Sequence, residues 1–216
     1  FAVYRAGMHG DFAFDDFGNI VGNSRLRTGS ESQGWLDAAS SGVAGPFGRG
    51  LSMLSFALNY RLFGEAAFSF KLTNLLIHFA NALLVWILTR KVCVLLYPAN
   101  DTRRSQMVAM LVCAVWALHP MNALPVLYVV QRMTSLSAFF MLAGLCLYVF
   151  ARTNECIKAY LAIAVSLAIC WPAAVFSKET GVLFGVYIVL LEWLVLRSFS
   201  TVPVRTVWLI GSIGIS

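Results

Sequence analysis

Charged side chains are what this sequence has least of. They make up 12% of its 216 residues, about half the share of a soluble domain. Acidic residues are the scarcer kind, ten against sixteen basic ones, and six of those ten fall before residue 67. Hydrophobic residues reach 59%, so polar groups cannot cover the folded chain. A soluble globular fold is excluded, and part of its solvent must be lipid. Paired cysteines are also missing. Cys93, Cys113, Cys146, Cys156 and Cys170 are an odd, scattered set, three of them inside apolar runs and none in a CxxC motif, which argues against a disulfide framework or a zinc site; we read them as small packing residues. The net charge of +6 would suggest a nucleic-acid partner in a soluble protein. Here the basic residues end apolar runs, where they orient membrane spans, so no nucleic-acid partner is expected.

Residues 1–67 are rich in Gly, Ser, Asp and Asn and read as an aqueous loop, with short helices predicted at Trp35 to Ala39 and Leu51 to Phe63. Residues 68–216 read as a transmembrane helical bundle. Apolar runs cover Phe68 to Leu88, Met107 to Leu118, Met121 to Val130, Leu136 to Phe150, Ala159 to Phe176 and Gly181 to Leu196, with a last one from Val207. The run ending at Leu118 is too short to cross a bilayer alone. His119-Pro120 follows it, so either a kinked span or a broken helix is expected there. The predicted fold class is all-α, a polytopic transmembrane bundle behind an extracytoplasmic loop. The chain opens on Phe1, and a preceding segment is expected.

Every second loop is basic. Arg90, Lys91, Arg103 and Arg104 lie in one, Arg152 and Lys158 in the next, and Arg197 and Arg205 in a third. The positive-inside rule makes these loops cytoplasmic. The N-terminal segment, His119 to Arg132, and Ser177 to Glu179 then lie outside. The candidate functional residues share that outer side: Asp15, Asp16, Arg49, His119, Gln131, Arg132, Lys178 and Glu179. Convergence on one face is what a catalytic cleft gives. An acidic pair can supply a general base, although Asp is equally at home as a turn or helix cap. Arg132 and Lys178 stand where spans meet the outer surface and could hold a phosphate or merely snorkel. Lys71, Asn74, His78 and Asn81 fall on one face of the first span. Asn81 reads as interhelical glue, Lys71 and Asn74 as cleft-edge candidates. His78 and His119 lack a third ligand, so no metal site is expected from them.

Five segments carry a resemblance: HGDFAFDDFGNIVGN, GRGLSMLSFALNYRLFG, FKLTNLLIHFANALLVWIL, ALHPMNALPVLYVVQRMTSLSA and SKET. In this order and spacing they resemble membrane O-mannosyltransferases that carry tetratricopeptide repeats, and their bacterial relatives. The resemblance covers nearly the whole sequence. It departs at Gly50, where relatives usually read Gly-Arg-Pro. It implies the GT-C superfamily fold, with the catalytic acid in the first external loop and further spans and repeats beyond the sequence. It also implies a polyprenyl- or dolichyl-phosphate sugar as donor, a protein or glycan acceptor, and transfer outside the cytoplasm, in a bacterial inner membrane or the endoplasmic reticulum. One Asp of the pair would be the base and Arg132 and Lys178 the phosphate contacts. No cofactor is required, though the acidic pair leaves room for a divalent cation. Adjacent carboxylates cannot be ranked without geometry; the expectation carried forward is Asp16 as base. The competing class is a transporter or flippase for a lipid-linked or anionic solute, which a broken helix and an intramembrane polar stripe would serve.

The orientation is testable in the full-length protein. Cysteine probes between Asn100 and Ser105 should label from the cytoplasmic side alone, and probes near Ser30 from the outside alone. Labelling of both from one side would overturn the shared outer face.

Overall fold

The computed structural model describes residues 4–27, 32–42, 45, 48–97, 102–154 and 157–198. All regular structure among them is helical. Among the described residues three α-helices precede the bundle, α1 (Arg5–Met8), α2 (Ser32–Ser40) and α3 (Gly50–Phe63), with a π turn (Phe17–Val21) and a 3-10 turn (Ser24–Leu26) between the first two. They cover both helices predicted in the loop, with bounds extended by one to three residues. Gly50 begins α3 where Ala39 of α2 comes close; a Cβ there would stand 3.1 Å from the Ala39 carbonyl oxygen. The departure from proline at this position therefore meets a tight helix approach.

The helix α4 (Ala67–Leu96) has 30 residues and a rise of about 45 Å, more than a ~30 Å hydrocarbon core requires. The helix α5 (Thr102–Leu118) is followed by a 3-10 turn (Pro120–Asn122) and the short α6 (Ala123–Leu127). The pair is bent by 56°, as the proline after His119 demands. A 3-10 turn (Val129–Gln131) then leads into α7 (Arg132–Arg152). Next come α8 (Ile157–Val165), a single π turn (Ser166–Cys170) and α9 (Trp171–Ser177), which together form one apolar length. Among the described residues three lengths suffice to cross a membrane, Ala67–Leu96, Val129–Arg152 and Ile157–Ser177, and the bent pair is a fourth candidate. This is an all-α membrane protein.

One expected span is shorter than its apolar run. The stretch from Gly181 to Leu196 gives a 3-10 turn (Glu179–Leu183) and an eleven-residue helix, α10 (Phe184–Leu194). At about 16 Å, α10 does not cross a bilayer alone. The run from Val207, and the loop positions Ser30, Asn100 and Arg205, lie outside the described residues.

Lipid tails are as apolar as leucine, so hydrophobicity alone gives membrane helices little reason to associate. Met107, Met110, Leu111, Val115 and Leu118 on α5 are accordingly exposed. Polar contacts hold the bundle, and the stripe on α4 supplies many of them. Lys71, Asn74, His78 and Asn81 are all buried. Asn81 Nδ2 donates to the Ser135 carbonyl at 2.9 Å, and His78 Nε2 lies 3.0 Å from the Ala117 carbonyl. Asn74 Nδ2 donates to the Val129 carbonyl at 3.3 Å.

Arg132 is the centre of this arrangement. Its side chain is fully buried. Nε donates to Asn74 Oδ1 at 2.7 Å, Nη1 to the Ser55 carbonyl at 3.1 Å, and Nη2 to Asn59 Oδ1 and the Phe70 carbonyl, both at 2.9 Å. The rings of Phe56 and Phe70 flank it at 4.7 and 5.4 Å. One guanidinium thus joins α3, α4 and the start of α7. At the other end of α7, Arg152 is equally buried and binds Glu192 of α10 through two nitrogens, while Tyr148 Oη donates to the same carboxylate at 2.7 Å.

Arg132→Ala should cost about 3–5 kcal/mol of stability, because Asn74 Oδ1, Asn59 Oδ1 and two carbonyls each lose a charged donor at a buried site where only Asn59 Oδ1 keeps a side-chain donor, Thr73. Arg132→Lys should recover little of it, since one ammonium cannot reproduce the planar fork. Thermal unfolding of the purified full-length protein reads this; wild-type melting in Arg132→Ala would disprove the hub.

Candidate functional site

The site begins at a corner where the N-terminal loop meets the 3-10 turn before α7. Lys71 Nζ donates to the carbonyls of Gly7 and Gly10, at 3.0 and 2.7 Å, and so ties the loop to α4. Four residues on, Phe14 adopts φ +45°, a left-handed backbone that a bulky residue keeps only when its surroundings hold it there. The turn sends the two aspartates in different directions.

Asp16 points inward and is 1% exposed. One carboxylate oxygen accepts from the Ala13 amide at 3.0 Å and the other from the Val130 amide at 2.7 Å. Burial pushes its pKa up; the amides of Ala13, Val130 and Val129 and the charge of Lys71 pull against that. Asp15 is exposed. Its backbone amide donates to Tyr128 Oη at 3.0 Å, and its carboxylate lies close enough to interact with the same hydroxyl. An exposed carboxylate can meet an incoming hydroxyl; Asp16, 1% exposed, keeps lone pairs beside its two amide bonds but is closed to solvent.

Tyr128, Gln131 and Thr134 follow at intervals of three, which is one face of a 3-10 turn running into a helix. Tyr128 touches Asp15 at one end of this row. At the other, Thr134 Oγ1 accepts from Lys178 Nζ at 2.6 Å and donates to Gln131 Oε1 at 2.7 Å. Lys178 comes from the bend between α9 and the following 3-10 turn, where its backbone is extended. Its pKa is lowered, first by burial and then by the charge of Arg49, with Glu179 opposing. Arg49 binds Glu179 through Nε, at 3.0 and 3.2 Å to the two oxygens, and through Nη2 at 3.0 Å. Its Nη1 lies 3.4 Å from Met133 Sδ. Gly45 must be glycine here, for it has φ +76° and a Cβ would overlap Glu179 Oε1.

Asp15, Gln131, Lys178, Glu179 and Arg49 therefore line one rim. Arg132 does not join them. Expected as a phosphate contact, it is closed off by its four acceptors and two rings. Lys71 and Asn74, expected at the cleft edge, are buried and bonded to the loop and the corner. His119 is exposed; its Nδ1 accepts from the Met121 amide, and it lines an apolar groove with Leu111, Val112, Val115, Trp116 and Asn122. It has no hydrogen bond to the rim. Among the described residues no three His, Cys, Asp or Glu side chains gather to hold a metal. Sequence reasoning missed Tyr128 and Thr134. The three-residue spacing from Gln131 in both directions was the available signal.

The chain is similar over nearly all its length to curated protein O-mannosyl-transferases. A Caenorhabditis elegans protein O-mannosyl-transferase is 25% identical over 218 residues, covering 98% of this chain and 29% of its own. The human protein O-mannosyl-transferase TMTC1 is 25% identical over 86% of this chain and 22% of its own, and human TMTC3 29% identical over 84% and 19%. The chain thus spans less than a third of the length of these relatives. No family profile and no solved structure matches it.

The Arg49–Glu179 pair gives the rim a pH dependence. Hydrogen bonds from Arg49 hold the Glu179 carboxyl below its ordinary value. A depressed carboxyl stabilises the fold above the ordinary glutamate range and loses that contribution as the pH falls through the depressed value. Glu179→Gln should therefore melt below wild type at pH 7, and the gap should close below about pH 4. A gap that is constant with pH would show that Glu179 acts by packing alone.

Proposed function

We propose that this chain is the catalytic part of a glycosyltransferase that moves a sugar from a polyprenyl- or dolichyl-phosphate carrier to an acceptor hydroxyl on the extracytoplasmic side. The observation that carries the reading is the contrast between two adjacent carboxylates. Asp16 is buried and bound by two amides. Asp15 is exposed on a backbone braced by Tyr128, at the same rim as a lysine. We assign the base to Asp15 in place of Asp16. Asp16 holds the loop to the corner, and Asp15 removes the acceptor proton.

The reaction is direct displacement with inversion. The acceptor oxygen attacks the anomeric carbon as Asp15 takes its proton, the bond from that carbon to the phosphate oxygen breaks, and the lipid phosphate leaves with the electron pair. Lys178 is the phosphate anchor. Of its three N–H groups one goes to Thr134, so two remain to donate. Burial and Arg49 make its positive charge costly, and an arriving phosphate relieves that cost. Arg49 is compensated by Glu179 and supports the rim without contacting the donor. Arg132 acts through structure alone. A divalent cation at the acidic pair would meet one exposed carboxylate, Asp15, and the reaction as drawn needs none. The names of the relatives support mannose as the sugar and a protein as the acceptor.

A transporter reading draws on the 56° break after Leu118. It is weakened by the α4 stripe, whose Lys71, Asn74, His78 and Asn81 are buried and bonded to protein groups, with Asn81 Oδ1 alone among their buried polar atoms left without a partner.

In the full-length protein, Asp15→Asn should lower transfer about 10²–10⁴-fold with donor binding and melting temperature unchanged. Asp16→Asn should lose activity in proportion to lost stability, because its amide nitrogen would face a backbone N–H. Transfer of radiolabelled sugar beside a thermal melt separates the two. Near wild-type turnover in Asp15→Asn would remove it as base.

A further inference from the structure

A lysine ammonium only donates hydrogen bonds. The 2.6 Å contact between Lys178 Nζ and Thr134 Oγ1 therefore makes the threonine oxygen an acceptor. The threonine proton turns to its other close neighbour, Gln131 Oε1, at 2.7 Å. That uses the carbonyl end of Gln131 and dictates which way the amide faces. The Nε2 group, with two N–H donors, is the end left over; it makes no hydrogen bond to the described residues and is not a buried orphan, so it is open to a ligand or water. Gln131 is half-buried at the rim, midway along the row whose ends touch Asp15 and Lys178.

We propose that Gln131 is a sugar-recognition residue, its Nε2 group donating to a hydroxyl oxygen of the hexose on the donor and Thr134 setting the direction of that donor. The inference rests on Asp15 as base and Lys178 as phosphate anchor. In a direct displacement the acceptor oxygen and the phosphate oxygen approach the same carbon from opposite sides. The sugar then occupies the space between base and anchor, and the side chain midway between them faces its ring. Epimeric hexoses present one hydroxyl in different places. A neutral donor held in one direction reaches one epimer and misses the other, while its own desolvation is left uncompensated. Thr134 is a positioning residue, since it acts on the sugar only through Gln131.

The test compares two donors, dolichyl-phosphate mannose and dolichyl-phosphate glucose, on one preparation of the full-length protein. Their kcat/KM ratio is independent of the fraction of protein that is folded. Gln131→Ala should reduce the wild-type ratio about 3–10-fold, the worth of one neutral hydrogen bond. Thr134→Val keeps the shape but frees the amide to turn, and should reduce the ratio in the same direction. The double variant should be no worse than Gln131→Ala, because the two act as one unit. An unchanged ratio in Gln131→Ala overturns the assignment. A reduced ratio there with an unchanged ratio in Thr134→Val, or additive losses in the double variant, overturns the relay. Asp15→Asn is assayed separately with one donor; its retention of activity would sink the reading of the base and leave the ratio experiment standing on its own result.

Discussion

A guanidinium without water must be surrounded by acceptors, and that constraint organises the end of this protein where α3, α4 and α7 meet. Arg132 finds none of its partners among acidic residues. It takes two asparagine oxygens and two backbone carbonyls, so every partner must be brought to it by the fold. Asn59 and Ser55 come from α3, Phe70 and Asn74 from α4. None of these helices can shift along another without stranding the charge. In a lipid solvent this matters more than apolar packing, because tails compete for apolar faces and do not compete for a guanidinium.

Asp16 is the anionic counterpart at the same corner. It is held by the amide of Val130, two residues before Arg132, and by that of Ala13. Asn74 links the two, for its oxygen receives Arg132 and its nitrogen reaches the Val129 carbonyl. A buried cation and a buried anion thus share one short turn without contacting each other. Each is neutralised by dipoles, which leaves the loop between Gly10 and Asp16 little freedom. The strained backbone of Phe14 sits inside that frame, and the orientation of Asp15 is its consequence.

The sequence was most legible where lipid imposes a rule. The spans at α4, α7 and α8–α9, the break after Leu118 and both loop helices follow from apolar length, proline and polar composition. The run from Gly181 misled, because its first residues wind as a 3-10 turn against α9 and leave α10 short. The polar stripe on α4 was legible as a face. Its use was not, since glue and cleft edge have the same residue types and spacing. Arg132 shows the same ambiguity: an arginine at the start of a span reads as interfacial, and only the positions of Asn59 and Asn74, far away in sequence, reveal it as enclosed. Asp15 and Asp16 could not be ranked for a similar reason. Their environments are decided by the amides of Ala13 and Val130 and the hydroxyl of Tyr128, and two of those lie over a hundred residues away.

The anchoring of α7 joins these points to the proposed chemistry. Twenty residues separate its two buried arginines, a rise of about 30 Å, which matches a hydrocarbon core. Arg132 fixes the first end to α3 and α4, and Arg152 fixes the other to Glu192 of α10. A helix held at both ends cannot slide along the membrane normal. Tyr128, Gln131 and Thr134 stand at its start, so their depth is set by the same two anchors. A donor attached to a lipid has its phosphate at a depth set by the bilayer, independent of the protein. For Asp15 and Lys178 to meet opposite sides of one sugar, the protein must match that depth, and α7 is the element through which both are referred to it.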